Sequence, residues 1–248
     1  MRIAIIGIGH QGRNHARFLK NAEYAKLALI VDIDPERASK AGEEYRVPSD
    51  TGYHNHLSEF DAAIIASPTS THFKIASELA TAGKHLLMEK PVTASVGEAE
   101  ELSSLVQQAG VIVRVGFPER YNPAVQRAIP HITRPLFIEC HRLGIFSPRS
   151  LDIDVVLDLM IHDLDLLYLF VGEETADLEA VGIPILSRNV DIANARLKFP
   201  GKCVANVTAS RVSAKRMRKM RLFQPYYYLS LDTVEQSLAM FSLQPNPC

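Results

Sequence analysis

Short apolar runs alternate with amphipathic stretches over the first half of the chain. Residues 2–6 read as a buried strand, 10–20 as a helix, and 27–32 (Leu-Ala-Leu-Ile-Val-Asp) as a second strand. Pro35 fits the first turn of a helix running to about Arg46. Ala62–Ala66 is strand-like, and Pro68-Thr69-Ser70-Thr71 opens a helix that reaches about Thr81 and is closed by Gly83. A strand at Lys84–Met88, a helix from Ser95 to Ala109 stopped by Gly110, and a strand from Val111 to Gly116 complete the series. Strands and helices alternating through short connections imply a parallel sheet covered on both faces.

The pattern changes near Phe117. A short helical stretch at Pro123–Ile129, a strand at Leu136–Ile145 and a long apolar helix over 155–171 come first. Strand-like segments then follow at about 176–186, 190–199, 203–212, 217–224 and 226–231, with Pro200-Gly201 as a hairpin turn. The expected architecture is α/β: a doubly wound parallel sheet over 1–118, then an α+β domain over 119–248 with a mostly antiparallel sheet.

Composition narrows the class. Hydrophobic residues make up 47% and charged residues 22%, as in a soluble globular protein. A net charge of −1 gives no electrostatic reason to expect nucleic acid or a membrane surface. No apolar run reaches the ~18 residues of a spanning helix, and the start lacks a basic-then-apolar leader. Cys140, Cys203 and Cys248 are far apart and lack CxxC spacing, so neither a disulfide framework nor a zinc site is expected. A reducing cytoplasm is the simplest setting.

Three groups of residues carry candidate chemistry. Gly7-Ile8-Gly9-His10-Gln11-Gly12 matches GxGxxG between a strand and a helix, the context a dinucleotide fingerprint requires. Its glycines permit a tight turn, close approach of a pyrophosphate, and helix–strand packing. Asp32 ends the next strand, where a carboxylate accepts hydrogen bonds from ribose hydroxyls and repels a 2′-phosphate; NAD is therefore expected before NADP. Arg37 is compatible with NADP but reads more simply as a solvated helix residue.

The second group follows from the sheet: ligands bind outside the carboxyl ends of strands. Ser67, Pro68, Thr69 and His72, and then Glu89-Lys90-Pro91, should face the cofactor. The plainer reading of Thr71 and His72 is helix capping plus a surface histidine, and that of Lys90 is an exposed loop lysine.

The third group lies on the long apolar helix. Asp158, His162 and Asp165 fall at i, i+4 and i+7; Asp154 extends that face by a turn, and Asp163 points elsewhere. Buried carboxylates and a histidine are unfavourable unless paired or facing a cavity. The stripe suggests a histidine base oriented by a carboxylate. A satisfied core histidine with capping aspartates is one alternative. A metal site is another, although nothing else in the sequence points to a metal.

Taken together, the fingerprint, Glu89-Lys90-Pro91 and Asp158-x-x-x-His162 resemble, in order and spacing, the Gfo/Idh/MocA family of glucose–fructose oxidoreductases and inositol dehydrogenases. That resemblance implies a Rossmann domain followed by an α+β domain. Gly116 to Pro123, Arg142 to Arg149 and Asp154 to Asp163 are similar to members that oxidise the 3-hydroxyl of UDP-N-acetylglucosamine. The implied activity is hydride transfer between a sugar carbon and nicotinamide. His162 would be the base, Asp158 its orienting group, and Lys90 a donor to the reacting oxygen. Glu89 would shape the Lys90 environment, Arg120 and Asn122 would line the cofactor–substrate cleft, and Arg149 would contact a nucleotide phosphate unless it is a solvated loop arginine. Other sugar or cyclitol dehydrogenases, or a non-catalytic NAD-binding regulator on the same fold, are the alternatives.

There are two departures from the family pattern. Asp152-Ile153-Asp154-Val155 stands where a glycine pair often precedes the catalytic aspartate, and the chain stops at Cys248, several tens of residues early. The second departure predicts an uncovered sheet edge or apolar face, which favours either instability or association into a homo-oligomer, a dimer or tetramer, through the C-terminal sheet. The basic run Lys215 to Arg221 reads as a solvated strand face, with a diphosphate or a neighbouring subunit as alternatives.

Overall fold

In a computed structural model, six short strands of the first half pair side by side, all parallel. They are β1 (Arg2–Ile6), β2 (Lys26–Val31), β3 (Ser49–Asp50), β4 (Ala62–Ile65), β5 (His85–Met88) and β6 (Val113–Val115), in the spatial order β3-β2-β1-β4-β5-β6. The structure describes residues 1–147 and 153–243. The chain separates into two units, Met1–Gly116 and Phe117–Cys248.

β1 shows why the first strands lack polar alternation. Ala4 and Ile6 enter one core with Leu29, Val31 and Ile65, while Ile3 and Ile5 enter another with Ile30 and Ile64. A strand with helices on both faces must be apolar at every position. The helices are α1 (His10–Leu19), α2 (Pro35–Tyr45), α3 (His72–Thr81) and α4 (Val96–Ala109). Asp34 caps α2 by accepting from the Glu36 and Arg37 amides. Ser95 accepts from the Glu98 amide, and the Glu98 carboxylate accepts from Ala94 N, a reciprocal cap on α4. β3 was not expected. It is two polar residues long, too short for any period, and exists through pairing with Ile30 and Val31.

The second unit is a seven-stranded sheet with helices on one face. It contains α5 (Pro123–Ala128), β7 (Phe137–Leu143), α6 (Ile161–Val171), β8 (Asp177–Ile183), β9 (Ile192–Lys198), β10 (Val204–Ser210), β11 (Met217–Gln224), β12 (Tyr227–Asp232) and β13 (Ser237–Ser242). The order is β13-β12-β11-β7-β10-β9-β8, with β7–β10 parallel and the other pairs antiparallel. Ile138, Cys140, Ala205, Val207, Met220, Leu222, Leu229 and Leu231 form the sheet side of the core, against Val125, Ala128, Met160, Leu166, Leu167 and Phe170. β13 also went unpredicted, since as an edge strand it is almost wholly exposed and shows little burial pattern. Among the described residues no helix is long and apolar enough to cross a membrane.

The expected helix over 155–171 is two elements. A π-helical turn over Val156–Met160 precedes α6. Spacing arguments that assume 3.6 residues per turn fail across that turn, and such turns are frequent at functional sites. Asp163, expected to point away from the chemistry, faces the core. Its carboxylate accepts from Arg142 Nε at 2.9 Å and Nη2 at 2.8 Å, while Arg142 Nη1 donates to Glu119 at 2.8 Å. Arg142 is 2% exposed. Burial alone would lower its pKa, but the Asp163 and then the Glu119 carboxylate reverse that and push it above its ordinary value. One guanidinium thus ties β7 to α6 and to the 3₁₀ turn Pro118–Tyr121.

Asp163→Ala removes the bidentate partner and leaves a buried charge under-compensated. Stability should fall by about 3–5 kcal/mol, read as a lower urea midpoint at unchanged slope. A loss below about 1 kcal/mol, the range of an exposed pair, would show that the pair is structurally dispensable.

Candidate active site

The cofactor side is built at the carboxyl ends of β1 and β4, where the strand order reverses. Gly7 adopts φ +94°, and a Cβ there would lie 2.6 Å from Ser67 N. A Cβ on Gly12 would lie 2.0 Å from the Gly7 carbonyl oxygen. Both glycines are therefore demanded by the chain's own packing. Gly9 differs: a Cβ there meets nothing within 4 Å. The space above it is open, and α1 begins beside it with no side-chain cap and no acidic residue in its first turn. Open backbone beside an uncapped helix N-terminus suits a pyrophosphate.

Asp32 fixes this loop. It is 6% exposed, accepts from Ile8 N at 2.9 Å on one oxygen and from Asp34 N at 3.0 Å on the other. Its charge sits where a ribose 2′-hydroxyl is bound and a 2′-phosphate is repelled. Arg37 is not simply solvated: Nε donates to Asp34 at 2.9 Å, and Nη2 lies 3.5 Å from Asp32. The residues present fit NAD. His10 is exposed at the start of α1, and Gln11 accepts from Asn14 Nδ2 at 3.0 Å.

The loop after β4 is internally braced. The Thr71 hydroxyl lies 2.8 Å from Ser67 Oγ and 2.7 Å from the Pro68 carbonyl oxygen, which holds Ser67, Pro68 and Thr69 in one turn. His72 was expected to face the cofactor, but it is 1% exposed. Its ring nitrogens each lie 2.9 Å from a carbonyl oxygen, those of Ser67 and Pro91. Any contribution to cofactor binding runs through the two loops it joins. β5 ends on the last ladder bonds, Glu89 N to Ile65 O at 2.9 Å and Gly116 N to Met88 O at 2.7 Å, and half-buried Lys90 is the next residue. The Glu89 carboxylate lies 2.7 Å from His15 Nε2 on α1.

The residues expected to act as acid and base lie in the second unit. Half-buried Asp158 is inside the π turn, and His162 is in the first turn of α6 with its ring edge-on to Phe117, centroids 6.3 Å apart. Asp154 caps the turn by accepting from Leu157 N at 2.9 Å. Asp165 accepts from Arg120 Nε at 2.7 Å and Nη2 at 2.6 Å, so these two serve each other. Asn122 was expected to line the cleft. Its Oδ1 instead caps α5 through Ala124 N, and its Nδ2 donates to Thr233 O, so the amide is spent on structure. Arg149 lies outside the described residues. Among the described residues no cluster suited to a metal ion occurs.

Sequence reasoning missed His15, Glu119 and Arg142. Arg142 had a signal: in β7 it alternates with Ile138 and Cys140 on the buried face, and an arginine in that series requires carboxylate partners. His15 had none, because one polar residue on α1 resembles any other.

Gly9→Val should leave the apo-protein's melting temperature unchanged while raising the Kd for NAD about tenfold or more. Gly12→Ala should lower the melting temperature as well, because its Cβ strikes backbone. Thermal unfolding and NAD titration of both variants separate the two roles. Equal NAD affinity in Gly9→Val and wild type would refute the assignment.

Two family descriptions match. "Oxidoreductase family, NAD-binding Rossmann fold" covers residues 1–117, and the "GFO/IDH/MocA C-terminal domain" covers 144–224. The UDP-N-acetylglucosamine 3-dehydrogenase of Acidithiobacillus ferrooxidans is 40% identical over 242 residues, 97% of this chain and 77% of the relative. A solved structure of that enzyme superposes with a TM-score of 0.92 over 98% of this chain and 80% of its own. The scyllo-inositol 2-dehydrogenase (NAD(+)) of Bacillus subtilis is 30% identical over 239 residues, 86% of this chain and 68% of that one. With both family descriptions matched and 97% of its length aligned to a relative at 40% identity, the chain belongs to the Gfo/Idh/MocA oxidoreductases.

Proposed function

We propose that this protein is an NAD-dependent dehydrogenase that oxidises a nucleotide-linked hexosamine, with C3 of UDP-N-acetylglucosamine as the reacting carbon. The observation that carries the reading is the 40% identity, over 97% of the chain, to a relative named for that reaction. The residues offer the groups such chemistry needs. Bound nicotinamide supplies the hydride acceptor. His162 takes the proton of the reacting hydroxyl, and Asp158 sets the orientation of its ring. Lys90, on the first unit, is the proposed hydrogen-bond donor to the charge that develops on the substrate. Glu89, held by His15, keeps a carboxylate next to Lys90 in the chain. Arg120 flanks the base through Asp165, and Arg149 is the proposed phosphate contact.

The setting proposed is a reducing cytoplasm, consistent with the free buried thiols Cys140 and Cys203. Homo-oligomers through the second sheet are part of the same reading. β8 and β13 are its edges; β8 is exposed along its whole length, and β13 presents Met240 and Phe241. Exposed edges of this kind favour pairing with another chain. Sedimentation should give a dimer or tetramer, and a monomer at micromolar concentration would refute that part.

His162→Ala and Lys90→Ala should each cut turnover with UDP-N-acetylglucosamine by roughly 10²–10⁴-fold while NAD binding survives. Absorbance at 340 nm reports the rate. NAD binding without reduction by any sugar nucleotide would overturn the dehydrogenase reading.

A further inference from the structure

The basic run Lys215 to Arg221 does not form a single solvated face. β11 alternates: Met220 and Leu222 face the core, so Arg218 shares the helix-covered side, whereas Lys219 and Arg221 face the other way toward Asp232 and Glu139. Arg218 pairs with Arg142 across the β11–β7 ladder. Arg216, two residues earlier, points to the same side and lines, with Arg218, Arg142, Gly144 and Leu159, a cavity of about 260 Å³.

Charge in this cavity is unbalanced. Arg142 is fully committed to Asp163 and Glu119. Arg218 Nη1 also donates to Glu119, at 3.1 Å. No hydrogen bond or ion pair ties exposed Arg216 among the described residues. Among the described residues, three guanidiniums therefore face two carboxylates. Burial, then the Arg142 charge, lowers the Arg218 pKa, and the Arg216 charge adds to the effect. An anion would relieve this repulsion, and guanidiniums match phosphate oxygens in pairs. The cavity is below the usual 300–1,000 Å³ of a whole-ligand pocket, so it suits a fragment of a larger molecule.

We infer that Arg216 and Arg218 bind the diphosphate of the nucleotide-sugar substrate. The inference rests on the sugar-nucleotide reading above and deepens it. Leu159 in the cavity wall is the chain neighbour of Asp158, so a diphosphate held here lies beside the turn that carries the proposed orienting carboxylate. The discrimination is chemical: a free sugar has nothing to offer these arginines, whereas UDP alone does.

The test uses the full chain saturated with NAD and titrates UDP into wild type, Arg216→Met and Arg218→Met. The Kd for UDP should rise at least ~10-fold in each variant, the scale of one lost charge-assisted hydrogen bond. Arg216→Lys should recover part of the loss, and the KM for UDP-N-acetylglucosamine should rise in parallel. NAD affinity and melting temperature serve as folding controls. Among the described residues Arg216 has no structural tie to lose, so its variant decides the matter if Arg218→Met is unstable. Unchanged UDP affinity in Arg216→Met, or wild type that does not bind UDP at millimolar concentration, would overturn the inference. Wild type that binds UDP through these arginines yet does not reduce NAD with UDP-N-acetylglucosamine would leave the nucleotide site standing and remove only the proposed sugar.

Discussion

The second unit is organised around a charge that cannot be left alone. Arg142 sits on a strand whose neighbouring inward positions are Ile138 and Cys140, and an isolated guanidinium in that layer would be strongly destabilising. Its donors reach two different elements, which makes one electrostatic requirement into a positional one. α6 and the turn at Pro118–Tyr121 must both come to β7. Apolar packing in the same layer is tolerant of small shifts; a two-pronged contact to Asp163 is not. His162 is the residue before Asp163, so this anchor fixes the helix backbone that carries the proposed base.

The first unit reaches comparable definition with backbone alone. Gly7 and Gly12 are fixed by contacts within 3 Å of their missing side chains, and Asp32 holds the Ile8 amide from below. Gly9 is the one glycine of the three that the fold itself does not need. A position with no internal reason to lack a side chain, beside an uncapped helix, is a place reserved for something outside the chain. Asp32 therefore has two tasks in one carboxylate: it shapes the loop and sets the sign of charge the loop presents.

Much of this was legible in the sequence because it rests on local rules. Five of the six parallel strands of the first unit were found, β1 and β4 since they are apolar at successive positions, and α2 and α4 were found since Pro35 and Ser95 announce their starts. Elements that depend on partners were not. β3 and β13 exist through pairing, and their own residues carry almost no period. The face assigned to Asp158, His162 and Asp165 assumed a uniform α-helix, and the π turn at Val156–Met160 breaks that assumption. The basic run was misread for a related reason, because a charge count ignores the strand alternation that sends Arg218 and Lys219 to opposite sides.

His72 has a mechanical consequence. Its ring is a rung between two carbonyls, one in the loop that follows β4 and one in the residue after Lys90. The loops after β4 and β5 are thereby yoked from inside the protein rather than each being free to adapt. The segment that carries Ser67 and the one that carries Pro91, the neighbour of Lys90, thus share one buried ring between them.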